Sequence, residues 1–306
     1  MRDFAIYTVC TGHYKYGLFA LVNSLLHFGY KGPIIVATDK MIPELEGVNQ
    51  VEQVILDSKH IFGNLKARII LENPAKKFIY LDPDVIQLNA DFVNIVLDSL
   101  DKFGKLILST EGLVSKNEIR RTIWNDKVKV STLPQSDQYY SGGFVAGVFE
   151  EHKYILELWD KYIHEYIEPG KYFRCCPEFP LADQDILNVV VQNISSDKIL
   201  SIAIPDWKGT ATMFNPFHEF GFYESSLFVH ATGKQKTWTL TKIPARYPNI
   251  YDKAFYKFIN MTQNGIHSDY AVSSMQKRWF QESKILPFYN SIRKVTKLFF
   301  GQIKIK

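Results

Sequence analysis

The chain has 306 residues, 46% of them hydrophobic and 14% aromatic, enough for a sizeable core in one large domain or two small ones, which excludes a disordered or fibrous chain. The net charge of +4 is unevenly spread: residues 241–306 carry 12 Lys plus Arg against 3 Asp plus Glu, and residues 1–240 carry 24 against 29. The body is thus net −5 and the tail +9, which suggests that the tail has an anionic partner of its own; a nucleic-acid partner is not expected.

The first half of the chain alternates between strand-like and helix-like runs. Phe4 to Cys10 reads as a strand, Gly17 to Phe28 as an apolar-faced helix, Pro33 to Thr38 as a second strand and Val51 to Leu56 as a short third one. Leu65 to Glu72 reads as a helix stopped by Asn73-Pro74, and Phe78-Ile79-Tyr80-Leu81 as a strand running into Asp82-Pro83-Asp84. Asp91 to Leu100 is then helical and Lys105 to Ser109 extended. Such alternation implies βαβ units, a mostly parallel sheet and a ligand site at the carboxyl ends of its strands. The Asp pair falls at such an end.

Residues 110–137 are polar without a clear period; they read as a lid or acceptor loop, or as a plain surface excursion. Tyr139 to Phe149 is a strand broken by Gly142, Gly143 and Gly147, and glycine inside a strand marks a bulge or the close approach of a ligand. Glu151 to Tyr166 is an amphipathic helix, Asp183 is expected to cap a helix running through Val191, and Lys198 to Ile204 and Leu227 to Val229 are late strands. The last leads into His230, Gly233, Lys234, Lys236 and Trp238. Beyond Pro244 come short segments rich in aromatic and basic residues, and Ser291 to Lys306 has the composition of an interfacial amphipathic helix drawn to anionic lipid; its alternative is a helix packed on the body with solvated lysines.

Cys10, Cys175 and Cys176 are too few and too badly spaced for a disulfide framework or a zinc site, which fits a reducing compartment. The early first strand leaves no room for a signal peptide, and no apolar stretch approaches the length of a membrane span, so a cytoplasmic chain is expected, with residues 285–306 as a peripheral contact to the membrane's inner face.

Two carboxylates one residue apart, Asp82 and Asp84, would face the same side of a continuing strand and offer hard oxygen ligands to Mg²⁺ or Mn²⁺; an Asp after a strand also serves simply as a turn or cap. His230, ending a separate strand, would suit Mn²⁺ better than Mg²⁺ if it joined them. Lys234 and Lys236 could meet a diphosphate as point charges, and Lys66 and Arg68 could reach the same phosphates or lie on a solvated helix face. Asp183 and Gln184 could meet a sugar at the far edge of the site.

Taken together these segments resemble the family 8 glycosyltransferases, the retaining GT-A enzymes that include glycogenin and bacterial lipooligosaccharide galactosyltransferases. The likeness runs from residue 5 to residue 238 in order: Leu81-Asp82-Pro83-Asp84 matches Leu-Asp-x-Asp, His230 to Trp238 matches His-x-x-Gly-x-x-Lys-x-Trp, and Asp183 to Asn188 matches Asp-Gln-Asp-Ile-Leu-Asn. The resemblance implies an α/β GT-A domain, a Rossmann-like mixed sheet flanked by helices, over residues 1–240, followed by a helical, basic, amphipathic extension over 241–306. It implies that Asp82, Asp84 and His230 ligate Mn²⁺ on a UDP-sugar and that Val9, Thr11, Lys66, Asp82, Gly233 and Lys236 contact the donor. Asp183 would bind the donor sugar, and Gln184 would lie where a retaining nucleophile is sought.

Two positions depart from the family. Gly12 stands where Asn or Asp is common, and Tyr140-Ser141-Gly142-Gly143 is similar instead to family 6, the blood-group type α-galactosyl and N-acetylgalactosaminyl transferases. The expected activity is a metal-dependent, retaining transfer of galactose or glucose to a glycan or lipid-linked hydroxyl in bacterial surface-glycan assembly. Other readings are an aspartate-nucleophile phosphatase, whose Asp-x-Asp should follow the first strand rather than a later one, and a glycan- or nucleotide-binding module without turnover.

Overall fold

β1 (Arg2–Cys10) carries apolar residues on both of its faces and is covered on both: Ile6 and Cys10 join one core, and Ala5, Tyr7 and Val9 the other. The computed structural model describes residues 1–56, 58–113, 117–129, 137–171, 176–202, 227–231, 236–240, 248–259, 261, 265–274, 276 and 277. Among them a seven-stranded sheet has the order β3-β2-β1-β4-β7-β6-β8, with β2 Ile34–Thr38, β3 Val51–Ile55, β4 Ala75–Leu81, β6 Leu106–Leu113, β7 Gln138–Val148 and β8 Ile199–Ile202. β5 (Val85–Gln87) pairs with β9 (Phe228–His230) in a small second sheet.

The sheet is mostly parallel, as expected, and mixed only through β7. β1, β2, β3 and β4 run parallel, but β7 is antiparallel to both β4 and β6. β6 and β8 pair parallel, so every strand of this sheet except β7 points the same way. The order reverses between β1 and β4, so their carboxyl ends open a crevice at the topological switch point, where ligands bind in open α/β sheets.

The helices flank the sheet. α1 (Lys15–His27) is buried along most of its length because it lies between the sheet and α7 (Ile250–Ile259); the buried Asn23 amide donates to Phe258 O at 2.9 Å and Ile266 O at 3.1 Å and accepts from Ile266 N at 2.6 Å. On the other face lie α2 (Lys66–Glu72), α5 (Phe149–Tyr166) and α6 (Asp183–Val191), around Trp159 and Phe78; α3 (Phe92–Phe103) packs on β6 and β7. α7 opens with a reciprocal cap: Asp252 N donates to Asn249 Oδ1, and Asn249 N to Asp252 Oδ2, both at 2.9 Å.

Within 110–137, read from sequence as a loop, Ile119–Val128 forms α4. Its polar composition hid an inward face. Arg121 and Trp124 are buried, Arg121 donating to Gln138 O at 3.0 Å and Trp124 Nε1 to Glu178 O at 2.8 Å, partners that no local pattern announces. Among the described residues no helix is long and apolar enough to cross a membrane. The basic segment 285–306, like Gly233, Lys234 and Cys175, lies outside the described residues.

Candidate active site

Asp82 and Asp84 do not lie on a continuing strand. β4 ends at Leu81, and the chain turns through Asp82-Pro83-Asp84, closed by Val85 N donating to Asp82 O at 3.0 Å, before entering β5. That turn is what recruits His230. β5 pairs antiparallel with β9 so that Val85 faces His230, and Ala231 N donates to Asp84 O at 3.1 Å. The three side chains therefore converge, with ligand atoms all within 4.8 Å of one another. His230 Nε2 is 2.9 Å from Asp84 Oδ1 and 3.6 Å from Asp82 Oδ2.

Two buried lysines offset these carboxylates. Lys66 Nζ lies 2.8 Å from Asp82 Oδ1, 2.8 Å from Asp183 Oδ2 and 3.0 Å from Gly142 O. Burial alone would favour the neutral amine, but Asp183 and Asp82 outweigh it and keep Lys66 a cation. Lys236 Nζ lies 2.5 Å from Asp84 Oδ2 and also donates to Ala231 O. Burial alone would likewise raise the Asp84 carboxyl, but Lys236 and His230 hold it well below the usual carboxylate range. Arg68 takes no part, pairing with Asp160 at 3.1 Å away from this cluster. Lys236 is fixed from behind: the next residue, Thr237, donates through Oγ1 to Asp252 Oδ1 at 2.6 Å, and Trp238 packs between Tyr14 and Phe255.

Across the crevice, α6 presents Asp183 and Gln184. Asp183 is not the expected cap; the residue before the helix is Ala182, at φ 44°, and it is Asp185 that accepts from Leu181 N at 2.7 Å. Asp183 is buried and turned to Lys66 instead. A non-glycine residue at positive φ costs on the order of 1–3 kcal/mol, and here it sets the start of the helix that carries both residues. Gln184 Oε1 accepts from Gly142 N at 3.2 Å and Nε2 donates to Glu111 Oε2 at 2.7 Å.

The glycines of β7 are explained by this crowding. A Cβ on Gly143 would collide with the His230 ring and lie 3.0 Å from Asp82 Oδ2, and one on Gly142 would stand 2.9 Å from Asp183 Oδ2. Of the remaining predicted residues, Val9 has its side chain buried in the α2-side core, leaving its backbone for any ligand, and Thr11 begins the turn after β1, accepting from Tyr14 N at 3.2 Å. Sequence reasoning missed Tyr80, which donates to Asp82 Oδ1 at 2.9 Å, Tyr14, whose ring lies 5.7 Å from Lys236 Nζ, and Glu111. Tyr80 was legible, since it lies near the end of β4 only two residues before Asp82. Beside the crevice, between the ends of β1 and β2, lies a cavity of about 550 Å³ lined by Gly12, Tyr16, Asp39 and Glu44 among others.

Two carboxylates and an imidazole within reach of one atom form a donor set that fits a divalent ion of borderline softness. No protein-family model and no curated protein sequence matches the chain. Solved structures do. The bifunctional glycosyltransferase WbbM is similar over 93% of this chain at 13% identity and a TM-score of 0.55; the chain spans about half of its length, 52%. The galactosyltransferase LgtC, solved with donor and acceptor sugar analogues, is similar over 89% of this chain and 99% of its own at 14% identity, TM-score 0.52. An active-site glutamine-to-glutamate variant of LgtC matches over 85% of this chain and 98% of its own at 13% identity, TM-score 0.54. The mixed sheet and its flanking helices are those of the GT-A glycosyltransferase fold.

Proposed function

We propose that the chain is a divalent-metal-dependent glycosyltransferase that moves a hexose, galactose or glucose, from a UDP-sugar to a hydroxyl of a glycan or lipid-linked acceptor with retention of configuration. The observation that carries this reading is the meeting of Asp82, Asp84 and His230 with Lys66, Lys236, Asp183 and Gln184 at the β1–β4 switch point. The GT-A fold and the sugar complexes of LgtC support it.

Asp82, Asp84 and His230 would hold Mn²⁺ or Mg²⁺, which when bound supplies positive charge against the diphosphate. Val9 and Thr11, at the end of β1, would meet the nucleoside through their backbone, and Gly233 would let the His230 loop approach the phosphates. The long stem of Lys236 lets its ammonium turn from Asp84 to the leaving diphosphate; at about 4 Å and an effective dielectric near 20 such a pair is worth about 4 kcal/mol before desolvation. Lys66 ties the metal side of the crevice to the sugar side, and Asp183 would accept hydrogen bonds from sugar hydroxyls.

LgtC has an active-site glutamine, and Gln184 is this chain's counterpart in the proposal. A carboxamide is a weak nucleophile, so the acceptor oxygen attacks the anomeric carbon on the face from which UDP departs. The anomeric carbon–oxygen bond to the diphosphate breaks as the bond to the acceptor oxygen forms, and the acceptor's proton passes to the departing phosphate oxygen. Gln184 steadies that arrangement.

Screening UDP-sugars for metal-stimulated UDP release tests the reading. Asp82→Ala and Asp84→Ala proteins that still fold should lose release by about 10³-fold; equal release by variant and parent overturns the proposal. The anomer of the product, read by NMR, checks retention.

A further inference from the structure

The Gln184 carboxamide is held at both ends by groups that differ in kind. A side-chain amide has nearly the same shape with its oxygen and nitrogen exchanged, so packing does not choose its orientation; hydrogen-bond partners do. On one side the Gly142 N–H, 3.2 Å away, can only donate. On the other the Glu111 carboxylate, 2.7 Å away, accepts. Between them the carbonyl is turned to Gly142 and the NH₂ to Glu111.

Glu111 is not needed to fasten α6 to the sheet. Asn188 does that, accepting from Tyr140 N at 2.8 Å and donating to Tyr140 O and Gln184 O at 2.8 Å each. Glu111 lies instead where β6 loses its regular register, with shifts on either side of Thr110, and such irregularities redirect side chains at strand ends. Gly142 is also the point where the site closes in, its carbonyl accepting from Lys66 and its missing Cβ leaving room for Asp183.

We propose that Glu111 is a positioning residue for the transfer, fixing the Gln184 amide so that the negative end of its dipole lies on the Gly142 side of the donor pocket. This rests on the transferase reading. Glycosyl transfer builds positive charge at the anomeric carbon, which a carbonyl oxygen stabilises and an NH₂ group opposes. Reversal of the amide would also set its NH₂ against the Gly142 N–H.

Glu111→Gln tests this in the full chain. The replacement keeps size and can donate as well as accept, so the pair stays hydrogen-bonded while position 111 no longer chooses the orientation of the Gln184 amide and Gly142 alone restrains it. For the preferred UDP-sugar, kcat should fall about tenfold, with KM and Mn²⁺ affinity within about twofold and the thermal midpoint unmoved. Glu111→Ala should show the same split and carries the test if the first variant does not fold. A parent-like kcat, or a loss in KM alone, overturns the proposal while leaving the transferase standing. A parent inactive toward every UDP-sugar overturns both.

Discussion

The two walls of the crevice are built on different physics. The wall of Asp82, Asp84, His230 and Lys236 sits on turns and strand ends and is held by ion pairs, whereas the wall of Gln184, Gly142 and Glu111 sits where a helix meets a strand and is held by amide hydrogen bonds. Charges in a buried site are costly when unpaired, so the first wall depends on every partner being present. The second is set by geometry and loses less when one contact goes. Lys66 joins them, touching Asp82 on one side and Asp183 and Gly142 on the other.

The sharpest break in this comparison is at Lys66. Lys66→Met leaves Asp183, 2% exposed, without its cation and should cost about 3–5 kcal/mol in chemical denaturation. Gln184→Met, which removes only amide hydrogen bonds, should cost about 1–2 kcal/mol. If Gln184→Met proves the more damaging, the two walls do not differ as described.

A smaller effect is expected at the glycines. Gly143→Ala pushes a methyl group into the His230 ring and should lower Mn²⁺ affinity, measured by titration calorimetry, by about 10–100-fold while costing about 1–3 kcal/mol of stability. Gly142→Ala presses on Asp183 instead and should leave Mn²⁺ affinity closer to that of the parent. Equal losses of affinity would show that the walls are not separable. The smallest change is at Ala182, where φ 44° suits glycine: Ala182→Gly should stabilise the fold by about 1 kcal/mol, read as a rise in thermal midpoint. A fall would mean that the strain lies elsewhere.

Much of the first wall was legible in the sequence because it comes from two short segments, Asp82-Pro83-Asp84 and His230 to Lys236, each recognisable by itself. An apolar run ending in Asp82-Pro83-Asp84 identifies a strand end and two oxygens by composition alone, and Lys66 lies only sixteen residues upstream. The second wall was less so. Asp183 at a helix start reads as a cap because Asp there usually is one, yet the positive φ at Ala182 moves the helix start and leaves capping of Leu181 to Asp185. Glu111 fell in a polar stretch without period, and its partner is 73 residues away.

The sequence by itself determined the strands of the main sheet but not β5, the α/β class of the first half, and the residue types able to bind a metal and a diphosphate. Alternating apolar runs, strand-breaking acids and glycines are short-range chemistry that needs no knowledge of the fold. Only the tertiary structure decided which of them meet. His230 reaches Asp84 across 146 residues through the β5–β9 pairing, Lys66 is buried between two carboxylates rather than solvated, and the Gln184 amide is held between Gly142 and Glu111. Each of these depends on strand order and register, which arise from the packing of the whole sheet and are written in no single segment.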